Sequence, residues 1–297
     1  QYNFCVPQDI SGYINLLGGE KIFADKLDSM FEADSQTTGR DQSDITGLIG
    51  QYAHGNEPSH HMAYLYAWTS QPWKTQFYCD SILDNLYTNA PGGLSGNEDC
   101  GQMSAWYVLS ALGFYPVNPA DGNFVFGSPQ HNEASIHLEN GKTFRIRTVG
   151  LSDKNKYIQQ VTLNGSAYNK NYISYADILA GGELVFVMGP EHGSYGSKAE
   201  DRPNSEIAEN KIQPLPYATL LNGKVFAKKN VISLHSASGA QIEYRILPDG
   251  SWKLYKKPLR VKNTTLMEYR NAGAVETDMT QVIKKNIHLK VELFQPY

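Results

Sequence analysis

Up to about Asn123 the apolar residues recur at helical spacing, and beyond it they alternate. Asp9–Leu17 reads as a short helix closed by Gly18-Gly19, and Lys21–Ala33 as a second with Ile22, Phe23, Leu27, Met30 and Phe31 on one face. After a polar loop over Asp34–Arg40, Asp44–Tyr52 reads as a short helix and Ser59–Thr69 as a firmer one. Pro72 opens a helix to about Tyr87, with Phe77, Ile82, Leu83 and Leu86 inward, before Pro91-Gly92-Gly93 breaks the pattern. Met103–Leu112 completes the helices, with Met103, Trp106, Tyr107 and Ala111 at helical spacing. Further on, Ala134–Leu138 and Thr143–Thr148 alternate on either side of Asn140-Gly141, a strong hairpin signal. Val161–Leu163 runs into Asn164-Gly165, and Glu183–Met188 alternates again. Later strands fall at Val231–Leu234, Gln241–Leu247, Thr265–Tyr269 and Ile287–Leu293.

These patterns predict an α+β multidomain chain. Residues 1–118 are expected to be helical and 119–195 an antiparallel β-rich unit. Residues 196–214, polar and proline-bearing, read as a linker, and 215–297 as a small immunoglobulin-like sandwich. A length of 297 residues suits about two domains. The net charge of −4 is mild and no basic patch stands out, which argues against a nucleic-acid partner. No apolar run reaches transmembrane length. The 19 Tyr and 4 Trp suit stacking platforms for sugars as well as an aromatic core. Three cysteines, Cys5, Cys79 and Cys100, are too few and too scattered for a disulfide framework or zinc site. The opening Gln1-Tyr2-Asn3-Phe4 has no methionine and enters an apolar stretch directly, which reads as an interior point of a longer protein.

Two loops concentrate polar chemistry ahead of aromatic segments. One is His54-Gly55-Asn56-Glu57-Pro58-Ser59-His60-His61, leading into Met62–Trp68. The other is Ser95-Gly96-Asn97-Glu98-Asp99-Cys100-Gly101-Gln102, leading into the helix at Met103. Carboxylates on a loop above a rigid helix can present an acid or base to a ligand. Asp and Asn at a helix start also serve simply as N-caps. Three His, a Glu and an Asn within one loop exceed what a cap requires. The order is not HExxH, and no zinc triad with an open position assembles from His54, His60 and His61.

The blocks Val6-Pro7-Gln8-Asp9, His54–His61 with Ala63-Tyr64-Leu65-Tyr66, Gln71-Pro72-Trp73-Lys74-Thr75-Gln76, and Gly96–Pro116 stand in a specific order and spacing. In both they resemble glycoside hydrolase family 92, the calcium-dependent exo-acting α-mannosidases. The resemblance runs from Gln1 to about Gly193. It implies that the helices are part of an (α/α)6 toroid whose other half, and the β-sandwich ahead of it, lie in an N-terminal portion of the same protein. It also implies inversion, which needs a general acid and a carboxylate base on opposite faces of the sugar. Asp99 falls on the base. Many relatives carry a second Asp where this chain has Asn97, and an amide can only orient the water or hydrogen-bond Asp99. Glu98 is the other carboxylate in that block. The acid falls just upstream of Gln1-Tyr2.

By the same resemblance Gln8, Asp9, Glu57, His60 and His61 contact substrate, and Asn56 belongs to a Ca2+ site. The implied substrates are mannose-containing glycans, with α-1,2-type action on mannose-rich chains and a role in N-glycan degradation. The implied location is outside the cytoplasm of a bacterium: secreted, periplasmic or at the cell surface. The competing expectation is a non-catalytic carbohydrate-binding or structural fragment. Ile242–Ile246, Asp249-Gly250-Ser251 and Tyr255–Leu259 weakly resemble the C-terminal sandwich modules of hexosaminidase-type enzymes, where Trp252 and Tyr255 serve the core or meet sugar.

Overall fold

The computed structural model describes residues 2–38, 43–207, 214–223, 229–248, 250–273 and 285–287. The chain divides into two compact units, Gln1–Ile14 with Gly19–Lys211, and Asn15–Gly18 with Ile212–Tyr297.

The helices α1 (Ile10–Leu17) and α2 (Glu20–Phe31) form where the spacing predicts them. Phe23, Leu27, Met30 and Phe31 of α2 are buried, but Ile22 faces solvent. Asp44–Tyr52 is not a helix. It forms a tight hairpin, Leu48–Ile49 against Tyr52–Ala53. Gly50 turns left-handed there at φ +58°, and a Cβ on it would meet the Met30 and Phe31 carbonyls. The Gln51 N–H then donates to the Met30 carbonyl at 2.8 Å. Ser59–Thr69 is not an α-helix either, but two 3-10 segments, Glu57–Ser59 and Met62–Trp68. All seven residues of Met62–Trp68 are buried, so no polar face sets a period. The next two helices are α3 (Pro72–Leu86) and α4 (Gln102–Ala111). Phe77, expected inward, is exposed, as is Tyr107.

Phe114–Tyr115, Asn123–Phe126 and Tyr172–Ser174 make a three-stranded antiparallel sheet. A five-stranded sheet runs Glu133–His137, Thr143–Val149, Gly182–Gly189, Tyr157–Leu163 and Ser166–Ala167 in spatial order. The hairpin around Asn140-Gly141 forms, with Ile136 opposite Phe144. The unit is not purely antiparallel, because Gly182–Gly189 runs parallel to Thr143–Val149. Both sheets feed one core, in which Phe114, Phe126, Phe144, Ile158, Leu184 and Phe186 are buried. The larger sheet is tied to α3, since the Ile158 N–H donates to Gln76 Oε1 at 2.9 Å and Lys156 pairs with Asp80 at 2.6 Å.

The first half of the expected linker is docked on this unit. Arg202 pairs with Glu20 at 2.8 Å, and Ser205 Oγ accepts the Ile10 N–H at 3.1 Å. Polar residues that read as solvated serve here as hydrogen-bond partners.

The second unit has two antiparallel sheets. One orders Tyr217–Leu220, Asn230–His235 and Leu259–Val261, and the other Lys253–Leu254, Ile242–Ile246, Thr265–Asn271 and Lys285–Ile287. They share a core of Ile232, Leu234, Ile242, Val261, Met267 and Tyr269, against which Tyr255 packs. Trp252 lies across the guanidinium groups of Arg245 and Arg270, at 4.8 and 3.9 Å, and these pair with Glu268 and Glu243 on the neighbouring strands. The strand expected over Ile287–Leu293 lies, beyond Ile287, outside the described residues.

Candidate active site

The two polar loops meet backbone to backbone. The start of the first loop is held on the hairpin before it, the His54 and Gly55 N–H groups donating to the Gly47 and Thr46 carbonyls, both at 3.1 Å. A Cβ on Gly55 would lie 2.3 Å from Thr46 Oγ1 and 3.2 Å from the Ser95 carbonyl oxygen. A Cβ on Gly96, at φ +73°, would lie 2.9 Å from the Gly55 carbonyl oxygen. Neither loop could come this close with a larger residue there.

That approach places the Glu57 and Asp99 carboxyl groups near enough to influence each other. Asp99 is exposed, and Glu57 partly so. The Glu57 contact is the main reason the Asp99 carboxyl is held above its ordinary range, with some desolvation and the charges of Glu57 and Glu98 adding to it. Glu98 moves the other way. It accepts the Ser104 N–H at 3.2 Å and the Gly101 N–H, and these bonds lower its pKa. The N-capping role therefore falls to Glu98, at the mouth of α4, where the helix dipole also favours an anion.

Asp99, Cys100 and Gly101 are left-handed in succession, at φ 54°, 56° and 100°. Such a run with two non-glycine residues is strained, on the order of 1 kcal/mol for each of them. It is held by Gln102 N–H to the Asp99 carbonyl and Met103 N–H to the Glu98 carbonyl, both at 3.2 Å. Asn97 does not turn to Asp99: its Nδ2 donates to Asp44 Oδ1 at 3.2 Å. Asp44 carried no signal in the sequence.

The histidines are built into the scaffold. His54 is fully buried, with Nδ1 at 2.8 Å from Tyr52 Oη and Nε2 at 2.6 Å from Tyr87 Oη, which donates onward to the Met103 carbonyl at 3.3 Å. His60 Nε2 lies 2.9 Å from the His54 carbonyl, and its Nδ1 lies 3.1 Å from Gln102 Nε2. His61 Nε2 lies 2.7 Å from the Phe4 carbonyl. Burial pushes His54 down to about 3 and His60 to about 4, and lowers His61, so all three stay neutral near pH 7. The structure therefore turns the His60 and His61 rings, expected at the substrate, toward protein carbonyls. Asp9 is likewise buried, its Oδ1 accepting the Gly12 N–H at 2.9 Å at the head of α1, while Gln8 is exposed.

A family model described as the glycosyl hydrolase family 92 catalytic domain matches residues 1–190. The chain belongs to glycosyl hydrolase family 92. Among solved structures it is similar to a family 92 α-mannosidase of Bacteroides thetaiotaomicron in complex with mannoimidazole, with 40% identity and a TM-score of 0.67 over 71% of this chain and 28% of that one. It is also similar to a family 92 inverting mannosidase of Bacteroides thetaiotaomicron VPI-5482, at 35% identity and a TM-score of 0.60, over 69% of this chain and 29% of that one. An uncharacterized secreted glycosidase of Arthroderma benhamiae is 33% identical over 68% of this chain and 24% of its own length. The chain thus spans only about a quarter of the length of these relatives.

Family 92 is associated with calcium, which takes six to eight oxygen ligands. Asn56, buried and extended at the head of the Glu57–Ser59 turn, and the Glu57–Asp99 pair offer oxygen donors. Among the described residues, no group of three or more His, Cys, Asp or Glu could hold a metal ion. Among them there is also no helix long and apolar enough to cross a membrane.

Proposed function

We propose that this chain is part of an inverting, calcium-assisted exo-α-mannosidase of family 92, acting on mannose-containing glycans, with Asp99 as the general base. The observation that carries the reading is the contact of Asp99 with Glu57 across two loops whose glycines let them touch. An inverting hydrolase needs a carboxylate that removes a proton from water as the water attacks the anomeric carbon opposite the departing oxygen. Asp99 is exposed, and its pKa is shifted in the direction that suits a base near neutral pH. Glu98, engaged by the helix N–H groups, is the weaker candidate. Glu57 stands beside the base as a contact for the sugar. Asn97 orients Asp44 rather than the water, and His60 and His61 support the loop from behind. Asn56 is one oxygen ligand of a calcium shell completed elsewhere in the full-length protein. The acid that protonates the leaving oxygen is assigned to the remainder of that protein, where the other half of an (α/α)6 toroid also lies.

We infer α-1,2-type action on mannose-rich N-glycans and a site of action outside the cytoplasm; the secreted description of the fungal relative supports the latter. The second unit reads as an immunoglobulin-like accessory sandwich. The test is Asp99→Asn in the full-length protein. Release of mannose from α-mannosides should fall by about 10²–10⁴-fold, the usual contribution of a general base. Proton NMR of the wild-type product should show the β-anomer first. Retention of more than about a tenth of the activity would sink the assignment of Asp99.

A further inference from the structure

We propose that Gln102 is a positioning residue that straps the Asp99 loop to the Glu57 loop through His60. This rests on Asp99 being the base. Gln102 is the first residue of α4, directly after the left-handed run Asp99–Gly101. Its Nε2 donates to His60 Nδ1 at 3.1 Å and lies 3.4 Å from Tyr115 Oη. His60 is buried, one turn after Glu57, and its backbone N–H donates to the Glu57 carbonyl at 3.0 Å. Its Nε2 donates to the His54 carbonyl at 2.9 Å, at the start of the same loop. One turn further along α4, Trp106 Nε1 donates to the His60 carbonyl at 3.0 Å.

With His60 neutral, these bonds are mutually consistent in one state only. Nδ1 faces an amide N–H and must accept, so Nε2 carries the proton and donates to a carbonyl. The amide is the group that can donate to a buried neutral imidazole without adding charge. Glu57 and Asp99 sit at opposite ends of the strap, and its length sets their spacing. Displacing a reacting group by about 1 Å can cost on the order of 10²-fold in rate.

Gln102→Met in the full-length protein removes the donor at nearly constant side-chain volume. The kcat toward an α-mannoside should fall about 10- to 100-fold while KM moves less than about threefold. The imidazole 15N resonances of His60 report the strap independently of activity. They should show the Nε2-protonated neutral tautomer in the wild type and move toward the doubly protonated form in Gln102→Glu, where a carboxylate faces Nδ1. A folded Gln102→Met enzyme with kcat within about twofold of wild type, beside an inactive Asp99→Asn enzyme, overturns the strap and leaves the base assignment standing. An active Asp99→Asn enzyme overturns the base assignment, and the strap's role in catalysis with it. If Gln102→Met does not fold, unchanged His60 resonances in Gln102→Glu overturn the strap.

Discussion

Gly55→Ala tests whether the meeting of the two loops is steric necessity. The added Cβ would fall 2.3 Å from Thr46 Oγ1, 3.1 Å from the Asp44 carbonyl oxygen and 3.2 Å from that of Ser95. The first distance cannot persist, so the Thr46 side chain must rotate or the loop must move. Thr46 Oγ1 is buried with no hydrogen-bond partner, so rotating it breaks no bond. The two carbonyls belong to backbone and must give by a few tenths of an ångström. Overpacking of this kind costs about 1–3 kcal/mol, and the stiffer unfolded chain returns about 0.4–1, leaving a net loss of about 1–2 kcal/mol. Gly96→Ala should cost more, about 2–4 kcal/mol, because its φ of +73° adds strain and its nearest neighbour, the Gly55 carbonyl 2.9 Å away, cannot rotate aside. Adding Thr46→Ala to Gly55→Ala should recover about 1 kcal/mol relative to the sum of the single changes, and should recover less with Gly96→Ala. Urea melts of the full-length protein and its variants measure all of these. Both glycine variants should also lose kcat, since the loops carry Glu57 and Asp99. The steric account fails if Gly55→Ala costs less than about 0.5 kcal/mol, the range of an ordinary surface change, or if it costs more than Gly96→Ala.

Two further outcomes are expected. His54 and His60 have folded pKa values of about 3 and about 4 against an ordinary 6.5, so the unfolded chain binds protons that the folded one refuses. Their contribution is complete above about pH 6.5 and is lost as pH falls toward 4 and then 3, on the order of a few kcal/mol in all; stability against urea that is flat from pH 7 to 4 would contradict this. The 297-residue chain expressed alone should release no mannose and should self-associate, because Val108 is 54% exposed and Tyr107 38% beside a cavity of about 480 Å3 lined also by Leu83, Tyr87 and Leu94. Sedimentation showing a monomer, together with calcium-dependent mannose release, would refute it.

The elements legible in the sequence were those with one wet and one dry side. The face of α2 and the strands about Asn140-Gly141 alternate because solvent lies opposite the core. Met62–Trp68 has no such contrast, and its 3-10 geometry left no trace in the pattern. Asp44–Tyr52 misled because Ile45, Leu48 and Ile49 mimic helical spacing while the Met30 and Phe31 carbonyls force a turn at Gly50. The parallel placement of Gly182–Gly189 depends on strand order, which no local period encodes. At the site, the loops and Asp99 could be picked out from their composition and their resemblance to the family. Asp44, Tyr87 and Gln102 could not, since each acquires its partner from 33 to 53 residues away.

The adjacent carboxylates Glu98 and Asp99 show what the fold adds to the sequence. By composition either could cap the helix and either could take a proton. The structure separates them by the N–H groups each can reach. Glu98 accepts from Gly101 and Ser104, which satisfies the head of α4 and holds its carboxyl ionised. With the cap supplied one residue earlier, the Asp99 carboxyl is left out of the capping, and only its carbonyl meets the helix, through the Gln102 N–H. The left-handed run that begins at it instead leaves its carboxyl near Glu57, whose interaction with it, and to a lesser degree whose charge, raises its proton affinity. Opposite shifts on neighbouring acids fit a division of labour, which is why we propose capping for the first and proton transfer for the second.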